Sequence, residues 1–174
     1  MLIPALIYIT AVLAANYTAT WFLPLPIFGQ VAVGTFIFGI TFTQRDLLHQ
    51  FGRRRVYQVI FLAAVLSVIE SVVLGVPYRI IIASFTAILI SETADTEVYQ
   101  RLLNRSWMLK VVSSNAVSIP IDTLIFNLIA FLGVFLPLQL LGIMWGEIVV
   151  KTLTGVVVGL ITARQRQNPQ QGLR

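Results

Sequence analysis

Ionisable side chains stand inside the longest apolar stretches of this 174-residue sequence. Glu147 and Lys151 are four residues apart in QLLGIMWGEIVVKTLTGVVVGLI, so on a helix they share a face and can form an ion pair. Asn115 and Asp122 are seven apart in SSNAVSIPIDTLIFNLIAF and also share a face. An ionisable group at the bilayer centre costs about 2.5–3.5 kcal/mol, and such groups usually face a polar cavity on a substrate path. For Glu147 and Lys151, a purely structural salt bridge is the alternative.

Pro120 stands two residues before Asp122 in the same apolar segment. Proline lacks the N–H that would bond the carbonyl of Ala116, and it kinks a helix. Backbone groups freed at membrane depth must face protein or a cavity. We therefore expect Pro120 and Asp122 to face one polar pocket, with a simple packing kink as the alternative.

The depth of two carboxylates follows from the helical rise of 1.5 Å per residue. Asp122 lies about 18 Å from Lys110 along one helix, and Glu92 lies about 20 Å from Arg79 along another, so both fall near the midplane. A single Asn or Thr at such a depth often makes only an interhelical hydrogen bond. Carboxylates in several spans indicate a shared pocket instead. The predicted substrate-binding residues are Asn16, Asp46, Glu92, Asp95, Asn115, Asp122, Glu147 and Lys151.

Two ten-residue segments resemble each other. SETADTEVYQ (Ser91–Gln100) and SIPIDTLIFN (Ser118–Asn127) share the pattern S-x-x-x-D-T-x-(V/I)-(Y/F)-(Q/N). Many transporters contain internal repeats with the substrate site at their interface. The pattern is consistent with such a repeat and equally with chance.

The elements that carry these residues are predicted to be transmembrane helices. The chain is 57% hydrophobic and only 11% charged, with no charged residue before Arg45, whereas soluble domains are about 25% charged. A helix needs about 20 apolar residues to cross a bilayer. We therefore predict an all-α integral membrane protein with six transmembrane helices. The predicted spans are Leu2–Leu23, Phe28–Gln50, Val56–Val76, Arg79–Tyr99, Val111–Leu132 and Leu138–Thr162.

Basic residues alternate between the predicted connections. They concentrate at Gly52–Arg55, at Arg101–Lys110 and after the sixth span, while the other three connections hold one Arg between them. The positive-inside rule predicts that the basic connections and both termini are cytoplasmic. We expect one transmembrane transporter domain over residues 1–163 and a polar cytoplasmic tail over 164–174. The basic loops then set topology, and no nucleic-acid partner is expected.

Several chemistries lack the residues they need. The chain has no cysteine, no P-loop motif, no nucleophile elbow and a single histidine without an H-E-x-x-H pattern. We expect no enzyme activity, no metal and no cofactor. The start MLIPALIYIT has no basic region of the kind found in signal peptides, so we interpret it as part of the first span.

Five stretches in order resemble one membrane family. They are AANYTATWFLPLP, GTFIFGITFTQRDLLHQFGRRR, RIIIASFTAILISETADTEVYQRL, SSNAVSIPIDTLIFNLIAF and KTLTGVV. Together they are similar to the VUT family, the queuosine precursor transporters of bacteria and archaea. The shared features are an Asn before a Pro-containing turn, a late Asp before Phe-Gly and a basic loop, an Asp-Thr, and a Lys in the last helix.

The resemblance implies the substrate and the membrane. Such transporters import 7-cyano-7-deazaguanine or 7-aminomethyl-7-deazaguanine, small-molecule precursors used in tRNA modification, across the cytoplasmic (inner) membrane. A carboxylate can accept the N1–H and exocyclic amine of such a ring as a bidentate pair. Asn115, Asp122 and Asn127 are then polar lining, and Trp107, Trp145 and the phenylalanines can stack on the ring.

Two other functions remain open from the sequence. One is a substrate-binding membrane subunit that needs a separate ATPase module, and the other is a structural or assembly subunit of a membrane complex. The sequence also leaves open whether transport is driven by protons, sodium or an ATPase or is facilitated, and whether the chain forms a homo-oligomer.

Overall fold

The chain folds mainly into helices. A computed structural model describes residues 2–26 and 29–167, and within them the chain forms six α-helices and one two-stranded antiparallel hairpin. The elements are α1 Leu2–Tyr17, β1 Phe22–Leu25, β2 Gly29–Ala32, α2 Phe38–Leu48, α3 Arg53–Val73, α4 Tyr78–Arg101, α5 Trp107–Phe131 and α6 Pro137–Gln167. Short 3-10 turns at Val33–Ile37 and His49–Phe51 flank α2.

The first two predicted spans are wrong in their extents. Helix α1 ends at Tyr17, and the apolar residues that follow it form the hairpin, with Phe22 paired to Ala32. The second span was expected to be one helix starting at Phe28, a residue outside the described ranges, but it begins as strand β2 and a 3-10 turn. Apolar content alone does not distinguish a short strand from a helix. The two prolines of the LPLP stretch lie in and just after β1, where they do not interrupt a helix.

Three helices of the described chain are long and apolar enough to cross a membrane by length and composition. They are α3, α5 and α6 over Pro137–Arg164. Helix α1 is apolar but has 16 residues. Helix α4 has 24 residues, but Glu92 and Asp95 lower its apolar content, and both are buried inside the bundle. The predicted tail over 164–174 lies mostly outside the described residues, and α6 continues into it as far as Gln167.

The distribution of polarity is inverted relative to a soluble protein. Large apolar side chains cover the outside, with Leu138 82% and Trp145 61% exposed. One apolar cluster joins α1, α3 and α4 around Tyr8 and Ile60, and a second joins α4, α5 and α6 around Phe131. The interior also holds many buried charged and polar residues. This arrangement suits a protein whose surroundings are lipid and whose interior holds a polar site.

Two glycines let neighbouring backbones approach closely. A Cβ atom at Gly34 would stand 2.3 Å from the carbonyl oxygen of Ala15, and one at Gly39 would stand 2.7 Å from the backbone of Thr154. Both contacts are with backbone, which cannot move aside as a flexible side chain can. Gly34 therefore holds the turn after β2 against α1, and Gly39 holds α2 against α6.

We expect Gly34→Ala to destabilise the protein by about 1–3 kcal/mol, the usual cost of overpacking. The matched control is Gly159→Ala, because a Cβ there meets nothing within 4 Å and alanine is favoured over glycine in a helix by about 1 kcal/mol. Thermal unfolding of both variants in detergent measures the difference. Equal melting temperatures would contradict the close approach.

Candidate functional site

The first charged group of the interior is centred on Arg45 of α2, which is fully buried. Its guanidinium lies 2.9 Å from Glu92 Oε2, 2.8 Å from Asp95 Oδ1 and 3.3 Å from Asp46 Oδ1. It also donates to Asn115 Oδ1 at 3.1 Å. We call these five residues the Arg45 cluster. The planar guanidinium can serve several acceptors at once, which joins α2, α4 and α5 at one point.

The second charged group is centred on Lys151 of α6, which is 2% exposed. Its ammonium lies 2.8 Å from Asp122 Oδ2 and 3.4 Å from Glu147 Oε2, and it donates to Thr123 Oγ1 at 3.0 Å. Asn127 donates to the same Glu147 oxygen at 2.9 Å. We call these five residues the Lys151 cluster. The pairing of Glu147 with Lys151 predicted from their spacing is confirmed, but Asp122 is the closer partner.

The two similar segments of α4 and α5 lie against each other and link the clusters. Ser91 donates to Asp122 Oδ1 at 3.2 Å, and Ser118 donates to Asp95 Oδ1 at 2.9 Å. The serine of each segment therefore binds the aspartate of the other. Each aspartate in turn meets a cation from a different helix, α2 on one side and α6 on the other.

A cavity opens between α1, α2, α4, α5 and α6. Apolar groups form much of the wall, and charged side chains from α4, α5 and α6 converge on it. The polar and aromatic lining residues are Asn16, Thr35, Phe38, Thr41, Ser84, Glu92, Asp122, Phe126, Glu147 and Lys151.

The structure brings five of the eight predicted site residues to this cavity and places three behind it. Those that line the cavity are Asn16, Glu92, Asp122, Glu147 and Lys151. Those that do not are Asp46, Asp95 and Asn115, all of which contact Arg45. Asn16 also donates to Ser67 Oγ of α3. Neither Trp107 nor Trp145 lines the cavity, and its aromatic walls are Phe38 and Phe126 instead.

Sequence reasoning missed Arg45. It falls inside the second predicted span and is not one of the eight predicted site residues, yet it has the most charged partners of any described residue in the interior. One signal was present: Arg45 is the first charged residue of the chain and is followed immediately by an acid. An arginine at a helix end usually extends toward water, and nothing local shows that this one turns inward.

The carboxylates differ in how fully their oxygens are used. Asp122 accepts from Ser91 through one oxygen and from Lys151 through the other. Glu92 uses only Oε2, for Arg45, and Glu147 uses only Oε2, for Asn127 and Lys151. Within residues 2–26 and 29–164, Oε1 of each glutamate accepts no hydrogen bond from the protein. Each of these two glutamates, which line the cavity, therefore has one carboxylate oxygen that is free to accept from a ligand.

Comparison with known proteins gives one match. Residues 70–164, more than half of the chain, match a protein family described as "Putative vitamin uptake transporter". The matched region holds α4, α5 and most of α6, and with them the whole Lys151 cluster and all of the Arg45 cluster except Arg45 and Asp46. No curated protein and no solved structure matches the chain.

Proposed function

Because the chain belongs to the vitamin uptake transporter family, we propose that it imports queuosine precursors, the 7-deazaguanine bases, through its central cavity. The observation that carries this proposal is that two residues lining the cavity, Glu92 and Glu147, each have a free carboxylate oxygen, Oε1. The protein then acts as a transporter of a small molecule and not as an enzyme.

The cavity has the groups that a guanine-like ring needs. The ring presents an N1–H and an exocyclic amine side by side, and a carboxylate accepts both in a strong charge-assisted pair. We assign this role to Glu147 or Glu92. Asn16 can donate to the ring carbonyl, and Phe38 and Phe126 supply apolar faces on which the ring can stack.

The role of Asp122 changes in this proposal. The sequence predicts that Asp122 contacts the substrate directly, and it does line the cavity. Both of its oxygens already accept hydrogen bonds from the protein. We therefore propose that Asp122 mainly holds Lys151 in place, while a glutamate receives the substrate.

We expect Glu147→Gln or Glu92→Gln to lose substrate affinity by about 2–5 kcal/mol, the scale for breaking a buried charged hydrogen-bonded pair. Glutamine replaces one acceptor oxygen with a donor amide, which opposes one of the two N–H groups of the ring. The test is uptake of labelled 7-deazaguanine by cells that cannot make it, together with affinity and melting temperature of the purified variants.

The matched control for this test is Trp145→Phe, two residues from Glu147 but exposed on the outer surface. It should transport normally. If the wild-type protein neither binds nor imports any 7-deazaguanine, the substrate assignment is wrong. Uptake that requires an added ATPase module would favour the binding-subunit alternative.

We also propose six membrane crossings with both termini cytoplasmic, in the cytoplasmic membrane. Support comes from the basic residues at Gly52–Arg55 and Arg101–Lys110 and from the length of α4, which has 24 residues. The charges that lower the apolar content of α4 are largely buried against α2 and α5, so they do not face lipid.

Single-cysteine labelling tests this topology, since the chain has no native cysteine. In intact cells, an impermeant thiol reagent should leave Arg54→Cys unlabelled and should label Tyr78→Cys. Both positions are exposed on the protein, so access depends on the side of the membrane. Labelling of Arg54→Cys from outside would reverse the proposed orientation.

A further inference from the structure

Three buried polar atoms next to Arg45 have no hydrogen-bond partner in the described part of the chain. They are Asp46 Oδ2, His49 Nε2 and Asp95 Oδ2. All three residues are at least nine-tenths buried, and one ligand atom from each lies within 4.8 Å of the others. Buried polar atoms normally have partners, so three unpartnered atoms on residues whose ligand atoms lie this close together indicate a missing ligand.

The charge of the Arg45 cluster indicates the sign of that ligand. Asp46, Glu92 and Asp95 carry three negative charges when ionised, and Arg45 carries one positive charge. The difference is two negative charges in the interior, where uncompensated charge is costly. The Lys110 ammonium lies 5.2 Å from the centre of the Tyr99 ring, and in the described part of the chain it forms no ion pair with these carboxylates. A cation of charge two would balance the cluster.

We propose that Asp46, His49 and Asp95 bind a divalent transition-metal cation of the Zn²⁺, Co²⁺ or Mn²⁺ type. Imidazole together with carboxylates suits these metals, whereas Na⁺, Mg²⁺ and Ca²⁺ are bound mainly through oxygen. The carboxylate oxygens that face Arg45 are the Oδ1 atoms, so the Oδ2 atoms remain for the metal. The Ser114 hydroxyl lies beside the Asp95 carboxylate and offers a further oxygen.

The surroundings of His49 support a ligand role. A metal-binding histidine usually donates its other ring N–H to an acceptor, which fixes the ring and its tautomer. The Gln100 amide lies 2.9 Å from His49 Nδ1. With its amide oxygen turned to the ring, Gln100 accepts from Nδ1–H and leaves the Nε2 lone pair for the metal. Tyr99 stacks on the ring at 4.0 Å and holds its orientation.

The metal site adjoins the substrate cavity through Arg45. Asp46 and Asp95 share the guanidinium with Glu92, and Glu92 lines the cavity. A metal that draws on both aspartates weakens their hold on Arg45, which then pairs more fully with Glu92. Metal and substrate therefore influence each other, and by linkage each changes the affinity of the other by the same factor. This second step rests on the proposed transport function, but the metal site itself does not.

Metal binding by the purified protein tests the site without any substrate. Protein stripped with a chelator is titrated with Co²⁺ and Zn²⁺, and bound metal is measured by elemental analysis and by the visible spectrum of Co²⁺. We expect one equivalent in the wild-type protein and in the control Gln50→Ala, whose exposed side chain is next to His49. His49→Gln and Asp46→Asn should bind at least tenfold more weakly.

A second measurement uses the wild-type protein alone, so that it does not depend on variants that fold poorly. Zn²⁺ should raise the melting temperature of the wild-type protein, since a ligand that binds only the folded state stabilises it, and Mg²⁺ or Na⁺ at equal concentration should not. No metal uptake by the wild-type protein, or equal uptake by the folded His49→Gln protein, would overturn the proposal. Equal stabilisation by Mg²⁺ would overturn the assignment to a transition metal. If metal binds but no 7-deazaguanine does, the proposed function fails and the metal site stands.

Discussion

Lys151→Met is expected to destabilise the protein by about 3–5 kcal/mol, the cost of removing one partner from a buried ion pair. Lys151 is the cation at 2.8 Å from Asp122 and at 3.4 Å from Glu147. Its loss leaves two carboxylates in the interior, with only neutral donors around them. The melting temperature of the purified variant in detergent and the yield of folded protein measure the effect.

Double variants identify which carboxylate matters more. Helical spacing alone favours Glu147→Gln as the compensating change, because residues four apart share a face of the helix. The structure places Asp122 nearer to the ammonium. We therefore expect Lys151→Met with Asp122→Asn to recover more stability than Lys151→Met with Glu147→Gln. The control is Thr152→Ala, an exposed neighbour. Two double variants as unstable as Lys151→Met itself would refute the pairing.

Arg45→Met is expected to be still more damaging than Lys151→Met. The side chain is fully buried and contacts Asp46 of its own helix, two carboxylates of α4 and Asn115 of α5. Its removal leaves more uncompensated charge than the loss of Lys151. Breaking a buried ion pair usually lowers stability by about 3–5 kcal/mol, and we expect a larger loss here. Arg45→Lys should recover only part of this, since an ammonium cannot span the same acceptors as a guanidinium.

A surface pair provides the matched control for Arg45. Arg53 pairs with Glu97, and its side chain is 56% exposed. Exposed ion pairs contribute about 0–1 kcal/mol, so Arg53→Met should melt near the wild-type temperature. Adding Asp95→Asn to Arg45→Met should restore part of the stability, because it removes one of the unpaired carboxylates. Melting of Arg45→Met and Arg53→Met at similar temperatures would show that the Arg45 cluster does not hold the helices together.

Composition and helical spacing by themselves predict the class of protein and part of its polar interior. The excess of apolar residues and the scarcity of charge identify a helical membrane protein, and the match over residues 70–164 confirms the resemblance to its family. The Glu147–Lys151 pair also followed from the sequence, because residues four apart lie on one face of any α-helix. The eight predicted site residues follow from the cost of polar groups in lipid, and five of them line the cavity.

Only the tertiary structure decided which groups meet across helices. The hairpin after α1 depends on pairing between Phe22–Leu25 and Gly29–Ala32, which apolar content does not distinguish from a helix. Arg45 turns inward, and Asp122 is the nearest charged partner of Lys151. Both facts depend on how each helix is rotated and how closely it packs on its neighbours. Spacing along one helix is fixed by the backbone, whereas contacts between helices are fixed by packing over the whole bundle, which no local pattern records.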